Sequence, residues 1–189
     1  MANRGTSDRR SDEELIEICN CGDADAAADA FNALYLRHKD FVIRVALRVV
    51  GDHDMALDVV QETFRYLLRK FPPAGRGLTL TSKLTTLLYP VAKNSAISLL
   101  RKAGRFPAGS AEPDELPAVS PPSSGNILPL LDILPAERRE VILLRFVDDM
   151  SLREIAESLQ IPLGTVKSRL HLAIKQLRES PEIKKDYFS

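Results

Sequence analysis

An all-α protein is predicted by three observations. Apolar residues recur at helical spacing through nearly every segment long enough to hold an element. Two S-x-x-E boxes, Ser11 with Glu14 and Ser151 with Glu154, mark helix starts. In such a box the serine hydroxyl accepts the third helical amide while the glutamate reaches back to the serine's own N–H. No run of alternating β-branched residues bounded by turns, the mark of a strand, occurs.

The elements follow in order. A first helix starts at Ser11, ahead of Leu15 and Ile18. A second spans residues 31–50 and ends at Gly51. A third covers residues 54–70 and stops at Pro72-Pro73, where ring geometry forbids continuation. Its apolar stripe is Leu57, Val60, Phe64, Leu67, Leu68 and Phe71, and Asp58, Gln61, Glu62, Arg65 and Arg69 recur along a polar stripe. A charged stripe of this kind suits either solvent or a protein partner. The fourth helix, residues 82–103, is expected to bury Leu84, Leu87, Leu88, Val91, Ser95 and Ser98. Lys93, Ile97 and Arg101 repeat on another side, with Tyr89 and Asn94 nearby. A cationic face with a ring and an amide suits unwound nucleic acid, where cations follow the backbone and rings stack on bases.

The composition then changes. Pro107, Pro113, Pro117, Pro121 and Pro122 crowd among Ala, Ser and Gly with no hydrophobic period, which reads as a flexible, Pro-rich linker. The chain divides on this reading into two small helical domains, residues 1–105 and 127–189, joined by an acidic linker at 106–126. After a short helical lead-in at 127–131, Pro135 opens a helix running to Val147. The Ser151 box opens a helix at 152–159, Gln160-Ile161-Pro162 breaks it, and a last helix covers 163–178. Two helices joined by so short a turn, the second one basic, predict a helix-turn-helix. Val166, Leu170, Ala173, Ile174 and Leu177 form the inner stripe of the last helix. Thr165, Ser168, Arg169 and Leu172 lie opposite, flanked by Lys167, His171 and Lys175. Small polar groups with long cations near a helix N-terminus suit a DNA major groove: the cations meet phosphates and one or two side chains reach base edges. An ordinary solvated face is the bland alternative.

Over 189 residues, Lys+Arg and Asp+Glu balance at 26 each, so the total charge predicts no nucleic-acid partner. The distribution does. From Thr63 to Ala111 there is no carboxylate against nine cations, among them Arg76 and Lys83. The last helix is a second acid-free window. The most apolar run, residues 41–50, is broken by Arg44 and Arg48, so membrane insertion and secretion are not expected. Cys19 and Cys21 are too close for an ordinary disulfide and read as plain thiols of a reducing, cytoplasmic compartment. His38, His53 and His171 are scattered, with no nucleophile, phosphate loop or ligand cluster beside them. No catalytic site, cofactor or metal is therefore expected, and the protein is not expected to be an enzyme.

Three stretches carry a family likeness. DMALDVVQETF from Asp54, LYPVAKNSAI from Leu88, and LPAERREVILLR with SLREIAESLQIPLGTVKSRL from Leu134 onward resemble an extracytoplasmic-function (ECF) sigma factor of bacterial RNA polymerase. The likeness covers residues 31–105 and 134–179, and its last part is the most specific. It implies two helical domains, a partnership with the RNA polymerase core and with promoter DNA, and an anti-sigma factor. It implies that Asp58, Gln61, Glu62 and Arg65 contact the clamp helices of the core. By the same likeness, residues 71–94 hold the unwound minus-10 strand with one base flipped into a pocket, at a cost of a few kcal/mol that binding must offset. That assigns the minus-10 contacts to Arg76, Lys83, Tyr89, Lys93, Asn94, Ile97 and Arg101. Minus-35 duplex recognition falls to Ser151, Thr165, Lys167, Ser168, Arg169 and His171. The acidic linker resembles the segment that threads the RNA exit region. Three positions depart from the family pattern: Leu87 stands for a common Trp, Pro90 for an ordinary helical residue, and Ser98 for a frequent Asp. The competing reading, a stand-alone helix-turn-helix regulator, would bind a symmetric operator as a dimer without polymerase.

Overall fold

The computed structural model describes residues 8–105 and 129–180, and every element in them is helical. In chain order these are α1 (Asp12–Cys21), α2 (Ala24–Val50), α3 (His53–Leu68), α4 (Leu84–Lys102), a short 3-10 helix (Pro129–Ile133), α5 (Ala136–Phe146), α6 (Leu152–Leu159) and α7 (Leu163–Glu179). The linker at 106–126 and the first two residues of the lead-in lie outside the described residues.

Both capping boxes form, with the serine hydroxyl accepting the glutamate amide at 3.2 Å and the glutamate returning to the serine N–H at 2.6 Å in each. α2 begins at Ala24 rather than Phe31. Asp23 caps it by accepting the Ala26 amide at 2.8 Å, and the alanines that follow are the strongest helix formers. Their small side chains leave no periodic trace, so the apolar pattern starts late. The helix closes on Gly51, whose φ of 66° is open to glycine at little cost. α3 is likewise capped one residue earlier than expected, by Asp52.

Two predicted stripes are corrected. In α3, Leu57 and Leu68 are exposed by 41% and 52%, and the inner side is Ala56, Val59, Val60, Thr63, Phe64 and Leu67. Thr63 can be buried because its hydroxyl donates to the Val59 carbonyl at 2.7 Å. In α4 the innermost row is Leu84, Leu88, Ala92, Ala96 and Leu100, one residue every four, while Ser98 is exposed. Ala92 and Ala96 are fully buried in a helix that packs on α2, α3 and α6, and a reading weighted to large side chains misses them.

Helices α1 to α4 make one bundle, its base filled by Phe31, Tyr35, Phe64 and Phe71 in edge-on contact. Each fully buried leucine, such as Leu15, Leu34, Leu67 or Leu88, contributes roughly 1.5–3 kcal/mol. The helix-turn-helix has a small core of its own: Leu131, Leu134, Ile142, Leu143 and Ala173, with Leu170, Ile174 and Leu177 packed on it. Its other inner residues, Val141, Leu144, Met150, Ile155 and Val166, join the cluster of the amino-terminal bundle. The two halves are thus in apolar contact, chiefly α6 against α4.

Candidate nucleic-acid and polymerase surfaces

The outer face of α3 carries Asp58, Gln61 and Arg65 exposed and Glu62 half-buried. Glu62 is held locally, by Arg65 at 2.5 Å and Arg69 at 3.2 Å. The exposed Leu57 and Leu68 lie on the same helix, leaving apolar patches beside the polar stripe. These four polar residues line an open groove of about 450 Å3 with Asn94, Ser95, Ser98, Leu99 and Lys102 of α4. The structure therefore brings together all four residues that the family likeness assigns to core polymerase and sets Asn94 beside them, a juxtaposition their sequence separation does not reveal.

The minus-10 set is divided. Arg76 is exposed on the loop that joins α3 to α4. That loop is pinned by Asn20, whose side-chain amide both donates to the Leu78 carbonyl and accepts the Leu78 amide, each at 2.8 Å. Gly77, at φ +96°, lets the backbone pass, since a Cβ there would stand 2.9 Å from the Asn20 oxygen. Asn94 and Arg101 are exposed on α4. Ile97, read from sequence as part of an open face, is instead 4% exposed, and Tyr89, for which stacking on a base and half-buried packing were equally open, is 5% exposed. The i, i+4 series that placed Ile97 beside Lys93 drifts around the helix, and the alanine row turns Ile97 inward. Tyr89 is covered by the helix-turn-helix: its phenol donates to Glu140, which also accepts from Lys93 at 2.7 Å. Burial, with the Glu140 charge close by, holds the phenol well above its ordinary pKa, so it remains a donor. Lys83 pairs with Glu154 at 3.2 Å.

The minus-35 set is mostly open. Lys167, Ser168 and His171 are exposed along the outer face of α7, and Thr165 is half-buried in its first turn. Ser151 is the cap of α6, its hydroxyl engaged by the Glu154 amide. The turn between the helices passes through Gln160 at φ 54°, a left-handed residue that sharpens the reversal. Arg169 faces another way, lining a small cleft of about 230 Å3 with Tyr89, Pro90, Lys93 and Glu140.

Several residues that matter here escaped sequence reading. Asp148 of the α5–α6 turn has a fully buried side chain, bonded by Arg48 at 2.5 and 3.2 Å and by Arg44 at 3.3 Å. Ser158 donates to the Thr86 carbonyl at 3.3 Å. Their partners lie 72 to 104 residues away, beyond any local signal. Elsewhere, Cys19 is buried with its thiol directed at the Ala27 carbonyl, burial pushing its pKa up, and Cys21 is exposed. Among the described residues no cluster of His, Cys, Asp and Glu is arranged to hold a metal. No helix among them is long and apolar enough to cross a membrane.

Comparison with known proteins bears on these surfaces. Residues 34–106 match the family model for sigma-70 region 2, and residues 124–177 that for sigma-70 region 4. The chain is 39% identical over 166 residues to the ECF RNA polymerase sigma factor SigL of Mycobacterium tuberculosis, covering 83% of this chain and 92% of the relative. The chain belongs to the ECF sigma factors. SigW of Bacillus subtilis, another ECF RNA polymerase sigma factor, is 32% identical over 186 residues, covering 88% of this chain and 95% of its own. Among solved structures, CnrH, determined with the cytosolic domain of CnrY, has the same fold at a TM-score of 0.62 and 22% identity. That match covers 88% of this sigma factor and 94% of CnrH. The sigma factor RpoE of Bartonella quintana, determined with the anti-sigma factor NepR, matches at a TM-score of 0.57 and 24% identity, over 83% and 98% of the two chains. In this sigma factor the region 2 match takes in the later part of α2 with α3 and α4, α1 preceding it, and the region 4 match takes in α5, α6 and nearly all of α7.

Proposed function

We propose that this ECF sigma factor binds the RNA polymerase core through the outer face of α3 and reads promoter DNA through two surfaces, α7 for the minus-35 duplex and α4 with its preceding loop for the unwound minus-10 strand. The observation that carries the reading is the outer face of α7: Lys167, Ser168 and His171 are exposed on the second helix of a helix-turn-helix whose inner stripe is packed. Asp58, Gln61, Glu62 and Arg65 form the core-binding patch, supported by their common place on the outer face of α3 and by the leucines left uncovered on that helix. Arg76, Lys83, Lys93, Asn94 and Arg101 supply cations and an amide to the minus-10 strand, with Tyr89 available to it once uncovered. The chain acts as two units, residues 1–105 and 127–189, on the tether at 106–126. It works in the cytoplasm as a stoichiometric initiation factor rather than an enzyme, under the control of an anti-sigma partner.

Run-off transcription tests this. Core polymerase given this chain should initiate at a promoter that core alone ignores, with start sites a fixed distance from shared minus-35 and minus-10 sequences. Tight binding to a symmetric site by a free dimer, with no effect on core, would return the stand-alone regulator.

A further inference from the structure

The seam between the two halves is complementary in charge. From the helix-turn-helix come Glu140, Asp148, Glu154 and Glu157; from the bundle come Arg44, Arg48, Lys83, Lys93 and the Ser82 hydroxyl, each carboxylate meeting at least one of them. Pro90 adds a further feature. Inside α4 it has no N–H, so the carbonyl four residues back, that of Thr86, loses its helical donor. That carbonyl is where the Ser158 hydroxyl of α6 arrives, at 3.3 Å, with Ser158 itself buried. A proline that would merely weaken an isolated helix here leaves an acceptor that the other half of the chain satisfies.

We propose that α4 and the helix-turn-helix are each other's resident partners: docked through the carbonyl that Pro90 leaves open and through the carboxylates that pair with the bundle's cations, they withhold Tyr89 and Lys93 from promoter DNA until the halves part. The proposal rests on α4 being the minus-10 helix. In the docked state Glu140 takes the place of a phosphate on Lys93 and covers Tyr89, and Arg169 is turned toward the same cleft. The polymerase then has to separate the halves, and the affinity of the free chain for DNA is reduced by the fraction that is open.

The experiment uses the full chain and reads conformation separately from function. Hydrogen exchange of the α4 amides and small-angle scattering are compared for the native chain, Glu140→Lys, and Glu140→Lys with Lys93→Glu. Expected are a compact, protected native chain, faster exchange and a larger radius in the single variant, and recovery of both on the charge swap. A native chain already extended, or a single variant as protected as the native chain, overturns the docking. The proline is tested by Ser158→Ala in two backgrounds: exchange in α4 should quicken in the native chain and stay unchanged when Pro90→Ala restores the helical donor. Equal effects in both backgrounds overturn the role of the Thr86 carbonyl. Function is read with a fluorescent single strand carrying the non-template sequence of the mapped promoter. Glu140→Lys should bind it on the order of tenfold more tightly than the native chain, as expected if about a tenth of native molecules are open. Should no form bind the strand while the exchange results hold, the minus-10 reading and the withholding fall together and the docking stands.

Discussion

The polar groups of α3 and those of α4 are satisfied in opposite ways. On α3, Glu62 bonds to Arg65 and Arg69, three and seven residues along the same helix. On α4, Tyr89 and Lys93 bond to Glu140, and Thr86 to Ser158, residues of the other half of the chain. A locally satisfied face keeps its form whatever else the molecule does and is ready for an outside partner. A face satisfied from afar has two states, because its partner can leave. On the proposal made above, one surface is on constant display and the other is displayed on demand.

The widest break between them comes from the buried carboxylate. Asp148→Ala leaves Arg48, mostly buried, without its counter-charge across the seam and should swing the chain to its open form, the loss of compactness being read by small-angle scattering. Glu62→Ala on the exposed α3 pair should leave the compactness unchanged in the same measurement. Equal losses would erase the contrast. Next in size is overpacking: Ala96→Leu, at a position with no exposed surface on the inner row of α4, should destabilise by roughly 1–3 kcal/mol, whereas Ser98→Leu two residues on should be near neutral.

Binding sharpens the comparison further. Gln61→Ala combined with Glu62→Ala should weaken association with core polymerase by about tenfold and leave the compactness of the chain unchanged. Arg169→Ala should weaken minus-35 recognition with core association intact, and lower the salt slope of promoter binding by about one. Loss of both activities together in either variant would count against the division of surfaces. The smallest effect is one of pH. Glu154 is opposed by burial but held below its usual value of 4.5 by the Ser151 amide and hydroxyl and by Lys83. A carboxylate depressed in this way stabilises the folded chain fully above its unfolded pKa and loses that contribution as pH falls through the folded one. Unfolding curves between pH 5 and about 3 should therefore flatten in Glu154→Gln, and a flat native curve would remove the bond from the account.

Most of the architecture was legible from the residues. Capping boxes at Ser11 and Ser151, breaks at Gly51 and Gln160, and the inner stripe of α7 all depend on neighbours within about a turn, which a linear pattern records. That Asp58, Gln61, Glu62 and Arg65 share a polar face of α3 was legible for the same reason. Tyr89 and Ile97 were not. Whether a helical residue is covered depends on what lies across from it, and the rotation of α4 is settled by Ala92 and Ala96, which a hydrophobic count barely registers.

The amino-acid order alone determined helical content, the position of the helix-turn-helix and the cationic windows, since these come from backbone propensity and from charge within a few residues of chain. Only the tertiary structure decided that Asp148 is enclosed by Arg48 and Arg44, that Ser158 meets the carbonyl left open by Pro90, and that Glu140 covers Tyr89. Those pairings join residues 51 to 104 positions apart. Their free energy arises from removing paired charges and polar groups from water together, a property of the assembled surface rather than of any segment in it.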